Sequence, residues 1–119
     1  MTTIAPIVVE RLGPMNLIHV LGELDIGNCS ELAGAIERAG EANTGPIIVA
    51  FVECTYVDTS GLTTLVEAHR SYGRRLHVVV TPESKIRRMF RATGLDRSLS
   101  MHDDFRVALA EASHPLAYG

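Results

Sequence analysis

The sequence predicts an α/β domain: a mostly parallel sheet of about five strands with an antiparallel N-terminal hairpin strand and four helices, in the order β-β-α-β-α-β-α-β-α. Three observations predict it. Short runs of β-branched and apolar residues alternate along the chain with segments whose apolar residues fall at helical spacing. Glycine or proline punctuates the junctions, at Gly13-Pro14, Gly40, Gly45-Pro46, Gly73, Pro82 and Gly94. Strands separated by helices return through right-handed crossovers and lie parallel, so only the first pair, joined by a tight turn, is antiparallel.

Each element has its own warrant. Ile7 to Leu12 and Asn16 to Leu21 read as the hairpin strands, with Gly22-Glu23-Leu24-Asp25 ending the second. Asn28 then caps a first helix, with Glu31 placed as its capping-box partner and Leu32, Ala35, Ile36 and Ala39 as its apolar face. Gly40 and Gly45-Pro46 punctuate the end of that helix. Ile47 to Val52 is a continuous apolar run, the mark of a buried strand. Leu62, Leu65, Val66 and His69 space a second helix, which Gly73 stops; Arg70, Arg74 and Arg75 suit its negative end.

Leu76 to Val80 is the next strand. Thr81-Pro82-Glu83 opens a third helix, cap then proline at the first helical position, with Ile86, Met89, Phe90 and Thr93 as its stripe. Lys85, Arg87, Arg88 and Arg91 make its outer face basic, and a solvated face is the expectation. Leu95 to Met101 holds a short edge strand, and Asp103-Asp104 begin a last helix carrying Phe105, Ala108, Leu109 and Ala112. The domain is taken as residues 5–112, with 113–119 as a tail.

Composition narrows the functional classes. A chain of 119 residues with 46% hydrophobic and 21% charged residues is a single globular domain able to bury its own core. A net charge of −3 supplies no basic field for direct nucleic-acid binding. No apolar run spans a bilayer, so no membrane insertion is expected. The opening Met1-Thr2-Thr3-Ile4 shows no signal-peptide pattern, which makes the cytoplasm the expected compartment. Cys29 and Cys54 form neither a disulfide framework nor a metal-ligand spacing, and cytosolic thiols stay reduced. The five histidines form no paired-ligand pattern and are read as solvated or packed; no metal and no cofactor is expected.

The functional clue is Val57-Asp58-Thr59-Ser60-Gly61-Leu62, between the apolar strand and the second helix. Asp58 is a good N-cap, able to accept the free N–H groups of Ser60 and Gly61, which puts Thr59 at the first helical position with its hydroxyl near the surface. A helix start favours negative charge, so one phosphate can be accommodated there. The same four residues are also a complete capping sequence with no further duty. Asp25 and Asp58 each follow the end of a strand and can converge, where two carboxylates beside Thr59 could bind Mg²⁺ or act as acid and base. Yet no nucleophile elbow, Walker loop or dinucleotide fingerprint is present, and no Lys or His in the motif completes a reaction, so a non-enzymatic role is expected.

Gly22-Glu23-Leu24-Asp25, the apolar strand, Tyr56 to Leu62 and then Ala92-Thr93-Gly94-Leu95 follow the order seen in the STAS family, and the chain most resembles its bacterial anti-sigma-factor antagonists. The resemblance covers roughly residues 5–112. It implies a partner-switching regulator of transcription, of the kind tied to stress responses. The unphosphorylated form would bind an anti-sigma factor that is also its GHKL-type serine/threonine kinase. Phosphorylation would end the binding, and a PP2C-type phosphatase would restore it. Carried across by position, Thr59 is the phospho-acceptor, Ser60 the second hydroxyl, Asp58 the motif acid and Asp25 the acid of the Gly-Glu-Leu-Asp segment. Partner contacts are expected from Asp25, Asp58, Thr59, Ser60, Gly61 and Leu62. The acceptor is Thr where the family often has Ser, and Ala50 stands where an Asp or Asn is common. The alternative the family offers is a STAS subunit clamping the ATPase of a lipid-transport ABC assembly. A hydrolase or nucleotide-binding enzyme using Asp25 and Asp58 is a third reading.

Overall fold

The computed structural model describes residues 6–113. The strands are β1 (Ile7–Leu12), β2 (Met15–Val20), β3 (Gly22–Leu24), β4 (Ile47–Ala50), β5 (Cys54–Val57), β6 (Leu76–Val79) and β7 (Ser100–His102). The helices are α1 (Cys29–Ala42), α2 (Thr59–Tyr72), α3 (Lys85–Ala92), α4 (Leu95–Ser98) and α5 (Phe105–Ala112), with a 3₁₀ turn at Gly73–Arg75 after α2. The main sheet has five strands in the order β1-β2-β4-β6-β7. As expected, β1 and β2 pair antiparallel, from Ile7 opposite Val20 to Leu12 opposite Met15, and the other pairs are parallel.

The sheet is covered on both faces, which is why its central strands read as unbroken apolar runs. Ile18, Val20, Ile47, Val49, Leu76 and Val78 point to one side, into a core with Leu32 and Ile36 of α1, Leu62 and Leu65 of α2, and Ile86 and Phe90 of α3. Leu17, Ile48, Ala50 and Val79 point to the other, under Ala108 and Ala112 of α5. Phe90 is fully buried and meets the Phe51 ring edge-on, with centroids 5.9 Å apart.

Several boundaries differ from expectation, each for a local reason. The Gly22–Asp25 segment does not end β2. Gly22, at φ 68°, swings the chain off the main sheet, and its amide donates to Glu53 O. The chain then forms β3, which pairs in parallel with β5 as a separate two-stranded ribbon. The apolar run from Ile47 leaves the sheet at Ala50 because a turn closes there, with the Cys54 amide donating to Phe51 O. Helix α1 runs through Gly40 to Ala42.

Proline does not start α3. Residues 82–84 form a turn, and the helix begins at Lys85 with Ser84 Oγ accepting from the Arg87 amide at 3.0 Å. Arg87 is not part of a solvated face: its side chain donates to Val80 O at 2.7 Å and pairs with Asp103 at 3.0 Å. The stretch from Leu95 first makes the single turn α4, so the edge strand is confined to Ser100–His102. At the far end of α2, the Arg75 guanidinium donates to Asn43 O at 2.7 Å and Gly45 O at 3.1 Å, binding the end of α1 to the following loop. The expected tail beyond Ser113 lies outside the described residues.

Candidate functional site

The motif lies where the β3–β5 ribbon delivers two loops side by side. β5 ends at Val57, whose buried side chain fixes the strand, and Asp58 then turns the chain into α2. Asp58 Oδ1 accepts from the Ser60 amide at 2.9 Å and the Gly61 amide at 3.2 Å, the cap read from the sequence. Thr59 is the first helical residue and exposed, and Ser60 is half-buried. No hydrogen bond engages the Thr59 hydroxyl among the described residues, whereas Thr63 and Thr64 donate theirs to the carbonyls of Thr59 and Ser60.

Gly61 and Leu62 do not face outward. A Cβ at Gly61 would lie 2.7 Å from Leu24 Cδ2 and 2.8 Å from Val57 Cγ1, so only glycine lets α2 settle this close to the ribbon. Leu62 is 6% exposed and belongs to the core. Both residues position the site, and their burial does not fit the partner contacts expected of them.

The loop after β3 supplies Asp25, half-buried. Its Oδ1 accepts from the Gly27 amide at 2.8 Å. Asn28 lacks the expected side-chain cap on α1. Its Oδ1 instead accepts from the Asp25 amide at 2.9 Å and its Nδ2 donates to Glu23 O at 2.9 Å, closing the loop on itself. The two loops are tied twice. The Asp58 amide donates to Leu24 O at 3.0 Å, and the Ile26 amide donates to Asp58 Oδ2 at 3.2 Å. The loops bearing Asp25 and Asp58 are therefore adjacent, joined by one amide–carbonyl and one amide–carboxylate hydrogen bond, and neither bond involves the Asp25 side chain.

Both carboxylates are engaged by amides, and no histidine or lysine bonds to either among the described residues. Among those residues no three metal-ligating side chains gather. Both cysteines are free thiols; burial pushes the Cys54 thiol up, and its Sγ donates to Tyr56 O at 3.3 Å, so it is a poor nucleophile. Among the described residues no helix is long and apolar enough to cross a membrane.

Two residues beside the motif have no role in the sequence reading, although Tyr56 opens the stretch that carries the family resemblance. Ile26 is 81% exposed and Tyr56 49% exposed. An apolar residue set among Gly-Glu-Leu-Asp and Gly-Asn, where a polar turn is expected, was the available signal.

Comparison with known proteins identifies the scaffold. An anti-sigma factor antagonist from Mycobacterium paratuberculosis superposes with TM-score 0.80 and 21% identity, over 91% of this chain and 93% of that one. The protein tm1081 of Thermotoga maritima gives TM-score 0.79 and 18% identity, over 91% and 95%. The anti-sigma factor antagonist SpoIIAA in its unphosphorylated form gives 0.66 and 20%, over 88% and 94%. At these identities the likeness is one of fold. No curated protein matches the sequence. The family model described as Mlab, STAS domain matches residues 8–114, nearly the whole described fold, and the chain belongs to that STAS domain family.

Proposed function

We propose that this chain is an anti-sigma-factor antagonist, a non-enzymatic partner-switching regulator that works in the cytoplasm through its folded unit, residues 5–112. Unphosphorylated, it binds an anti-sigma factor that is also its GHKL-type kinase and so releases a sigma factor. Phosphorylated at Thr59, with Ser60 the second candidate hydroxyl, it lets go, and a PP2C-type phosphatase resets it. One observation carries the reading: exposed Thr59 at the start of α2, its hydroxyl unengaged among the described residues, directly after an acid that is itself fixed. The fold shared with antagonists, SpoIIAA among them in a phosphorylated form, supports it.

The physics of release is local. A phosphate adds about −1.5 to −2 charges at neutral pH. Here it would join Asp58 and Asp25 while gaining from the helix start, so the isolated fold changes little. Within a close-packed interface, a desolvated charge without a cationic partner costs several kcal/mol, enough for orders of magnitude in affinity. The test incubates the purified protein with the kinase and ATP, maps the modified residue, and compares kinase binding by the two forms. Modification elsewhere, or equal binding, rejects the switch.

A second reading takes its support from the Mlab of the matching family description. There the domain clamps the ATPase of a lipid-transport ABC assembly and needs no phosphate. Co-purification separates the two, yielding a GHKL-type kinase in one case and an ABC ATPase in the other.

A further inference from the structure

We infer that Ile26 and Tyr56 are the apolar anchors of the docking surface around Thr59, and that they fit a protein partner offering an apolar socket rimmed by cationic side chains; this rests on the partner-switching reading above. Ile26 is 81% exposed, the most open large apolar side chain among the described residues, and gains nothing from burial in the isolated chain. It does not hang loose. Its amide is held by Asp58 Oδ2 at 3.2 Å, and the Asp25 and Asn28 side chains brace the loop on both sides of it. Tyr56 projects from β5 directly opposite Glu23 of β3, just before the buried Val57. Both residues therefore stand at the end of the ribbon from which α2 starts, Ile26 tied by its amide to the Asp58 cap and Tyr56 two positions before it.

The charges around them identify the partner. Glu23 and Glu53 are exposed, and Asp25 and Asp58 half-buried. The ion pairs among the described residues, His19–Glu10 and Arg87–Asp103, involve none of the four. Rigid apolar side chains ringed by unpaired acids form the core and rim of a protein interface, and the complement is an apolar socket with Lys or Arg at its edge. A phosphate on Thr59 would add its charge beside Asp58, at the centre of the surface where the apolar contact is made, and would have to be desolvated there. Asp58 is then a positioning residue twice over, capping α2 with one oxygen and holding the Ile26 loop with the other.

The test titrates the nucleotide-loaded GHKL-type kinase with wild type, Ile26→Ser, Ile26→Val, Tyr56→Ser and Thr59→Glu, each first checked by thermal unfolding. The expected result is a loss of about tenfold or more in affinity for Ile26→Ser and Tyr56→Ser at unchanged stability, with Ile26→Val close to wild type. Wild-type affinity should also fall as salt is raised. If Thr59→Glu abolishes binding while Ile26→Ser and Tyr56→Ser bind like wild type, the anchor assignment is overturned and partner switching stands. If wild type does not bind the kinase at all, both are overturned.

Discussion

His77 and His102 lie side by side in the buried face of the sheet, Nδ1 of the first 3.1 Å from Nε2 of the second. One ring must donate and the other accept, so the contact needs at least one neutral imidazole. Burial, then the neighbouring ring's charge, pushes His77 down to about 4, only partly opposed by Glu111. Burial lowers His102 as well, against Glu111 and Asp103.

Both shifts are downward, so the folded protein resists protons that the unfolded chain accepts from about pH 6.5. Stability is therefore full above pH 6.5, falls as pH drops toward 4, and levels off below the folded value. The His77 shift alone corresponds to a loss of about 3 kcal/mol across that window. Urea titrations at pH 7.5, 5.5 and 4.5 measure it, and His77→Phe should flatten the profile. An unchanged profile in the variant would show that His77 is not its source.

Gly61→Ala should lower stability by about 1–3 kcal/mol, because the new methyl overlaps Leu24 and Val57. Equilibrium denaturation gives the figure. A neutral effect would mean that α2 can retreat from the ribbon without loss.

Asp58→Ala removes the cap on α2 and the tie to the Ile26 amide together. A cost of about 0.5–2 kcal/mol is expected from the cap. Hydrogen exchange should quicken at Ile26, Ser60 and Gly61. Faster exchange at Ser60 and Gly61 alone would show that the two loops are held by other contacts.

Thr59→Glu places a charge where the helix start favours one, worth about 0.3–1 kcal/mol. Its thermal midpoint should therefore stay within a few degrees of wild type, while binding to the kinase is lost. Calorimetry of both quantities on the same sample separates an effect on docking from an effect on fold. Because Glu imitates phosphate imperfectly, the phosphorylated protein is the stronger arm.

Phe90→Ala should be the most disruptive of these changes, costing about 3–5 kcal/mol by emptying a fully buried site against Phe51. Urea unfolding monitors it.

The elements legible in the sequence were those set by side-chain period and local capping. The alternate burial of Ile47 and Ile48 on opposite faces of β4 is a property of a run of apolar residues, and the Asp58 cap a property of four neighbours. What escaped depends on groups distant in sequence. The β3–β5 ribbon arises because Gly22 turns the chain and finds Glu53, more than thirty positions away. Asn28 looked like a cap, but the carbonyl of Glu23 and the amide of Asp25 captured its amide group. Arg87 has helical spacing for a solvated face, yet α3 lies close enough to Val80 and Asp103 to draw it in. Nothing in the separate strands bearing His77 and His102 announces that β6 and β7 will pair with His77 opposite Ser100 and His102 opposite Val79, a diagonal that lets the two rings meet, since parallel pairing is fixed by the whole sheet.

The Arg75 guanidinium, which gathers the carbonyls of Asn43 and Gly45, stands beyond the C-terminus of α2, a helix length of about 20 Å from Thr59. That pole is pinned by charged hydrogen bonds. A dye or affinity handle attached at the exposed neighbour Arg74 would consequently track tumbling and capture without perturbing Thr59, which makes it the natural point of immobilisation for kinetic work.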